Sequence, residues 1–315
     1  MNAPTNFRKF EVLEWTAKGE PRASIPLRAL ETLWFNTGTL CNIACENCYI
    51  ESSPRNERLT YLTLHDVREY LDEIERDGLP TRLIGYSGGE PFMNAAFPAI
   101  LEETLARGFE TLTLTNAMRP MTRRKAAVAQ LIERYGPSMR FRVSLDDYRP
   151  EVHDRERGKD GFARTLEGLQ WLHDVGAVVE VAARRLTGDS EADMRAGFAR
   201  LLGERGIAID SANPQQLMIF PEMRADADPP EITPACLGIL KVSPDDVMCA
   251  NARMVVKRKG AAQPTVLACT LLPYDARFDL GPTLASASRP VHLAHKYCAT
   301  FCVLGGASCG ATRDG

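Results

Sequence analysis

Residues 33–54 read LWFNTGTLCNIACENCYIESSP, a short apolar run followed at once by a loop that carries Cys41, Cys45 and Cys48. Three thiols at C-x3-C-x2-C spacing can converge from one loop on a compact iron–sulfur cluster, because thiolates hold such clusters and a loop of this length lets the backbone wrap one. Three ligands on a four-iron cluster leave one iron open, and an open coordination position marks a reactive site. A structural zinc loop lacking a fourth ligand, or cysteines packed as small hydrophobes, are the competing readings of the same residues. The next apolar run ends in Tyr86, Ser87, Gly88, Gly89, Glu90 and Pro91. Two glycines let backbone approach a ligand closely, and Glu90 brings a carboxylate able to accept a hydrogen bond from an ammonium group. A bare GGEP is also an ordinary turn; its weight comes from position, since functional groups of parallel α/β folds gather at the carboxyl ends of strands.

The same alternation continues outward. Candidate strands are Leu33 to Asn36, Arg82 to Tyr86, Thr111 to Thr115, Arg140 to Leu145, Val178 to Ala183 and Leu217 to Phe220. Between them lie helical patterns. Leu64, Val67, Leu71 and Ile74 recur at helical spacing, with Thr63 and Asp66 as a cap and Gly78 as a stop. Phe97, Ile100, Leu101 and Leu105 form a second stripe, with Pro98 in its first turn and Gly108 beyond its end; further helices run from about Arg123 to Tyr135, Ala163 to Val175 and Glu191 to Leu202. Strand and helix in regular succession predict parallel strands joined by crossovers, as an open barrel or a doubly wound sheet. Residues 1–30 read as an N-terminal extension packed against the core, and 31–224 as the core itself. At Ala225 the stretch ADADPPEITPAC ends the alternation, so 225–315 is set apart as a small cysteine-rich region. Within it, Arg253 to Lys259 and Thr265 to Leu271 predict a hairpin across a turn containing Gly260.

Composition narrows the function. The 315 residues are 44% hydrophobic and 25% charged, which suits a globular protein and excludes disordered or fibrous classes. A formal charge of −3 gives no global basic field for nucleic acid or an anionic membrane. No apolar run is long enough to span a bilayer, and the start MNAPTNFRKFEVLEW lacks a secretory layout, so a cytoplasmic location is expected. Nine cysteines are an odd number, which forbids complete internal pairing, and clustered cytoplasmic thiols are more often metal or redox groups than disulfides. After the first three, the others are Cys236, Cys249, Cys269, Cys298, Cys302 and Cys309, which suggests two separate metal regions.

The cysteine loop, followed about forty residues later by GGEP, with each motif at a strand end, resembles the radical S-adenosylmethionine (SAM) superfamily over about residues 31–222. The resemblance implies an α/β fold, a partial (β/α)6 TIM-like barrel, in agreement with the strands counted above. It implies that Cys41, Cys45 and Cys48 ligate a 4Fe-4S cluster whose open iron binds the amino and carboxylate groups of SAM, with Ser87, Gly88, Gly89 and Glu90 around the amino end. The family places an aromatic just before the third cysteine, near the adenine; this chain has Asn47 there and Tyr49 after it, so Tyr49 is the candidate for that contact. FRVSLDDY, running into RPEVHDRERG, is similar to the stretch in which a Ser and an Asp reach ribose and an Arg reaches the methionine carboxylate, which gives Ser144, Asp146 and Arg157 here. Arg184 at the end of the fifth strand can fill the same role, while a strand-end cap and a surface salt bridge are the plain readings. The family's chemistry is reductive cleavage of SAM to a 5′-deoxyadenosyl radical that takes hydrogen from substrate, fed by a flavodoxin- or ferredoxin-type reductant. The protein orients substrate and excludes water and oxygen.

A hairpin with Cys249 and Cys269 at its ends, followed by Cys298 and Cys302 as C-x3-C, resembles the Twitch or shortened SPASM extension that holds an auxiliary 4Fe-4S cluster. The spacings depart from those patterns in the place of the glycine and in the extra residue of the cysteine pair. Cys236 and Cys309 are further thiols that either replace one of these ligands or lie buried, and a zinc site, with His292 or His295 as added ligands, is the alternative. Thr270 follows Cys269 where some SPASM members place an Asp base, which argues against sulfatase maturation.

The expected function is a radical SAM enzyme acting on a small molecule, because only about thirty residues precede the core and a leader-gripping domain needs more. Peptide maturation of ribosomally made precursors (RiPP) is the second reading. A non-enzymatic iron–sulfur or zinc protein is the third, and a cobalamin-type methyltransferase has no room for its extra domain. Tyr86, Asn116, Glu180 and Met218 are expected on the inner wall.

Overall fold

The computed structural model describes residues 7–224 and 226–306. Cys309 and the boundary residue Ala225 lie outside them. The first core strand, β1 (Thr32–Asn36), is buried along its whole length, as a strand covered on both faces must be. Parallel to it in succession run β2 (Leu83–Ser87), β3 (Glu110–Thr115), β4 (Met139–Ser144), β5 (Val178–Arg184) and β6 (Leu217–Phe220). Between them lie α1 (Leu64–Asp77), α2 (Phe97–Ala106), α3 (Lys125–Tyr135), α4 (Pro150–Arg157), α5 (Gly161–Asp174) and α6 (Glu191–Glu204). The fold is a partial α/β barrel of the kind expected, and the six strands fall within a residue or so of the predicted runs.

Local chemistry sets the boundaries. Thr63 and Asp66 form a reciprocal capping box at the start of α1, and Gly78, at φ +60°, ends it in the left-handed region that glycine enters without strain. Helix α4 has no counterpart among the sequence patterns. It starts on Pro150 and carries charge at most of its positions, so it shows no apolar stripe.

Register sorts the side chains into two layers. Phe35, Tyr86, Phe97 and Phe141 are fully buried between the sheet and the helices. Tyr86 stacks on Phe35 and shares a 2.5 Å hydrogen bond with Thr104 of α2, so it belongs to this outer layer and not to the inner wall. The opposite face carries Trp34 beside Gly85, where a Cβ would stand 2.3 Å from the indole, and the register row Asn36, Ser87, Leu114, Arg142 and Glu180. Glu180 and Arg142 are inward residues locked in an ion pair of 2.8 Å.

The cysteine-rich segment is continuous with this sheet. The predicted hairpin is present as β7 (Ala252–Val256) and β8 (Thr265–Leu267), antiparallel, with β9 (Asp279–Gly281) added beyond. Unexpectedly, β7 also pairs parallel with β1, from Thr32 opposite Ala252 to Phe35 opposite Val255. One sheet therefore runs β9-β8-β7-β1-β2-β3-β4-β5-β6. The N-terminal extension is tied to the same region. Ser24–Ile25 pairs with Val291–His292, and buried Arg22 meets Glu231 at 2.6 Å.

Candidate functional site

A cavity enclosing about 1220 Å³, its open mouth included, lies at the carboxyl ends of the inward strand faces. Cys41, Cys45 and Cys48 line it together with Tyr49, Ser87, Gly88, Gly89, Ser144, Asp146, Arg157 and Arg184. Residues named from four separate stretches of sequence thus share one space.

The glycines are required by the cysteine loop itself. A Cβ on Gly89 would stand 2.2 Å from the Leu40 carbonyl oxygen, and one on Gly88, at φ +137°, 2.5 Å from that of Gly38. The two loops are laced by hydrogen bonds from the Gly89 N–H to the Gly38 carbonyl (2.8 Å) and from the Glu90 N–H to the Leu40 carbonyl (3.2 Å). Glu90 is 1% exposed. Its carboxylate accepts from the Asn116 N–H (2.9 Å), the Thr115 hydroxyl (2.9 Å) and the Phe92 N–H (3.2 Å), which fastens this loop to the end of β3. Burial pushes its pKa up to about 7 against the pull of those donors. Asn116 continues the link, donating to Asn42 at 2.9 Å with its amide 3.9 Å from the Cys41 sulfur.

Helix α4 closes the loop from the other side, a role no motif announced. The Glu156 carboxylate accepts from the Asn47 N–H (2.8 Å) and side-chain amide (2.9 Å), and its backbone carbonyl accepts from the Glu46 N–H (3.0 Å). Arg184 bonds Glu156 at 2.5 Å and donates to the Asn47 carbonyl at 3.2 Å. The residue that departs from the family's aromatic is therefore a clamp point. Asp146 is fully buried and takes a two-point fork from Arg157 (2.6 and 2.9 Å) and a further bond from Arg184 (3.2 Å). Burial alone would raise the Asp146 pKa, but the charges of Arg157 and Arg184 override it and hold the carboxyl well below the usual range. Arg157 is ion-paired, but in the cavity wall and not on the surface. His153, also fully buried, accepts from the Asp146 N–H at 3.1 Å, and burial pushes its pKa down to about 4, which keeps it a neutral acceptor.

The donor set suits an iron–sulfur centre. Burial pushes Cys41 up to about 12 and raises Cys45, so these two thiols stay protonated until a metal replaces their protons. In the second region, Cys249, Cys269, Cys298 and Cys302 line one small, otherwise apolar cavity. Cys249 precedes β7, Cys269 follows β8, and the other two lie on the π-helical turn Cys298–Val303. Burial raises Cys249 to about 11 and Cys298 to about 12. Leu271 borders both cavities, and the turn that carries Cys298 and Cys302 also sends Phe301 into the wall of the larger one. Among the described residues no three His, Cys, Asp or Glu side chains are grouped as for a single metal ion. Cys236 stands apart, 3.3 Å from the Thr233 hydroxyl, and neither His292 nor His295 borders the second cavity. No helix among the described residues is long and apolar enough to cross a membrane.

Of the expected inner-wall residues, Asn116 borders the large cavity, Glu180 lies beneath it through Arg142, and Met218 shares the row of Ala182. Arg142, Glu156 and Asn42 were missed because their partners are remote in sequence.

Comparison with known proteins bears on the family and the fold. The subtilosin biosynthesis protein AlbA of Bacillus subtilis is 31% identical over 168 residues, covering 53% of this chain and 35% of AlbA. The mycofactocin maturase MftC of Mycolicibacterium smegmatis is 27% identical over 165 residues, covering 51% of this chain and 39% of MftC. The chain spans little more than a third of these curated relatives. Streptococcus suis SuiB, solved with S-adenosylmethionine, shares the fold with a TM-score of 0.58 at 12% identity, over 81% of this chain and 63% of that one. The radical SAM superfamily model matches residues 35–195, just over half of the chain. The chain belongs to the radical SAM superfamily, whose cofactors are a 4Fe-4S cluster and SAM.

Proposed function

We propose that this chain is a radical SAM enzyme that modifies a peptide. The observation that carries the enzyme reading is the single cavity shared by the cysteine loop, the Gly88–Gly89 edge and the Asp146–Arg157–Arg184 group. When bound, the cluster supplies the electron that cleaves SAM to the radical that abstracts hydrogen. Cys41, Cys45 and Cys48 hold it. Gly88 and Gly89, which line the cavity, would meet the SAM amino group, and Ser144 and Tyr49 would border its nucleoside. Asp146 has both oxygens engaged by arginines, so it anchors Arg157, whose Nη1 stays outside the fork and would be available to the methionine carboxylate of bound SAM. Buried Glu90 works behind the wall, holding the two loops together.

The peptide substrate is supported by the relatives named for bacteriocin biosynthesis and mycofactocin maturation, and on that ground it is preferred to the small-molecule expectation. A second cluster held by Cys249, Cys269, Cys298 and Cys302 is part of the proposal. Four thiols around one cavity provide a full donor set, and among the described residues Leu271 is the one that borders both cavities.

The test uses anaerobically reconstituted protein with SAM, dithionite and synthetic peptides encoded by short reading frames beside the gene. Wild type should form 5′-deoxyadenosine and change the mass of one peptide, and Cys41→Ala/Cys45→Ala/Cys48→Ala should do neither. Wild type should hold about eight irons and the triple variant about four. Turnover stimulated only by small metabolites overturns the peptide reading, and absence of 5′-deoxyadenosine under every condition overturns the enzyme reading.

A further inference from the structure

Three arginines among the described residues are buried below a tenth exposure: Arg22, Arg142 and Arg253. Arg22 is paired with Glu231 at 2.6 Å and Arg142 with Glu180 at 2.8 Å. Arg253, at 1% exposure the deepest of them, has no carboxylate within ion-pair distance among the described residues. Its guanidinium is held by carbonyls alone: Nε donates to Ala287 (2.8 Å), Nη1 to Cys249 (2.6 Å) and Ala252 (2.8 Å), and Nη2 to Arg289 (3.3 Å). Carbonyls satisfy its donors but carry no net charge, and a guanidinium does not give up its proton. A cation fixed in an apolar interior needs an anion nearby.

Geometry ties Arg253 to the distal cavity: its Nη1 bonds the carbonyl of Cys249 at 2.6 Å, Cys249 and Cys269 are two of the four cysteines that border that cavity, and a negative charge on either thiol would bear on the guanidinium. As neutral thiols they leave the guanidinium uncompensated. As ligands of a metal centre they are thiolates, and four thiolates around an iron–sulfur core carry net negative charge. We propose that Arg253 is the buried counter-charge of an anionic iron–sulfur centre on Cys249, Cys269, Cys298 and Cys302, and that it raises that centre's reduction potential. This rests on the auxiliary-cluster reading above. The direction follows from electrostatics: the reduced centre bears one more negative charge, so a fixed cation at short range in a low-dielectric site favours it.

Arg253 acts through the centre and not on substrate, so the readout is a potential. In the Cys41→Ala/Cys45→Ala/Cys48→Ala background, which isolates the distal centre, redox titration followed by electron paramagnetic resonance compares Arg253, Arg253→Lys and Arg253→Gln. In Arg253→Gln the equilibrium constant for one-electron reduction should fall about tenfold or more, a shift of about 59 mV to more negative potential for each factor of ten. Arg253→Lys keeps the charge and should stay within about threefold of the parent. Iron in the distal set with an unmoved potential in Arg253→Gln overturns the inference and leaves the auxiliary-cluster reading standing. Zinc or no metal in the distal set of the parent overturns both. Should Arg253→Gln fail to hold iron, retention by Arg253→Lys supports the charge requirement. Loss from Arg253→Lys as well, with its metal-free unfolding midpoint unchanged, shows that the guanidinium's shape is what matters and overturns the inference.

Discussion

At the scale of single residues, the tightest demands on this site come from the packing of its own loops. Gly89 is the sharpest case, because a methyl group there would stand 2.2 Å from the backbone oxygen of Leu40 and neither partner is a flexible side-chain end. Overpacking of this kind costs about 1–3 kcal/mol, and here the relief must come from the cysteine loop. Gly89→Ala should therefore lower the unfolding midpoint of the metal-free protein and, beyond that, deplete iron from the proximal set while leaving distal iron in place. Unchanged proximal iron would show that the loop can move aside. Glu90 makes a prediction in pH. Its carboxyl lies at about 7 when folded against 4.5 when exposed, so between those values the folded state holds the extra proton and stability falls as pH rises. The full effect is on the order of 3 kcal/mol. Buried neutral His153 contributes the opposite trend below about pH 6.5, so the readout is a difference: in chemical denaturation of metal-free protein from pH 5 to pH 8, the stability of wild type relative to Glu90→Gln should fall as pH rises, whatever their absolute stabilities. An equal slope in both proteins would assign the titration elsewhere.

At the scale of elements, α4 holds the cysteine loop by three hydrogen bonds accepted by Glu156 while Arg184 reinforces the same contact. Glu156→Ala removes a buried anion from Arg184 and two acceptors from Asn47, a change of the class that costs about 3–5 kcal/mol. Arg184 keeps Asp146, so the barrel should still fold. The expected result is faster iron loss from the proximal set to a chelator, with Glu156→Gln intermediate and distal iron unaffected. The contrast with the motifs shows what a sequence makes legible. Cys41, Cys45 and Cys48 are readable because their chemistry is local: one loop, one spacing, one strand end. The strands of the barrel are readable for the same reason, as short apolar runs between capped helices. Helix α4 is hidden because its only markers are Pro150 at the start and Gly158 at the end, with no apolar periodicity between. The Asn47–Glu156 bond joins positions 109 residues apart, and no local pattern encodes it. Arg253 reads as one residue of a hairpin strand; only burial distinguishes it from a surface arginine.

At the scale of the molecule, the composition break at residue 225 and the sheet disagree about where the core ends. The change to proline- and cysteine-rich sequence marks a separate region, yet β7 from that region is hydrogen-bonded to β1, the strand that carries the cysteine loop. The sequence could show that a hairpin forms but not which edge receives it, since that choice is made by the fully buried β1 face waiting 220 residues earlier. The turn Cys298–Val303 then returns to the wall of the large cavity through Phe301, and Leu271 borders both cavities. The distal region is in this sense continuous with the barrel, and the proximal site is expected to depend on it. A chain ending at residue 222 tests the point. Without β7 the N–H and C=O groups of Thr32 to Phe35 lose their partners on one side, and the apolar surfaces of Leu33 and Trp34 lose cover at an open edge. The expected product is insoluble or oligomeric, and any soluble fraction should fail to hold the proximal cluster although Cys41, Cys45, Cys48 and the Gly88–Gly89 loop are all present. A monomeric fragment with a cooperative melt and about four irons would mean that residues 31–222 fold as a unit and that the distal region is an attachment. The full chain with Cys249→Ala/Cys269→Ala/Cys298→Ala/Cys302→Ala is the matched control. It keeps β7 and should keep the proximal irons, which separates loss of the strand from loss of the distal thiols.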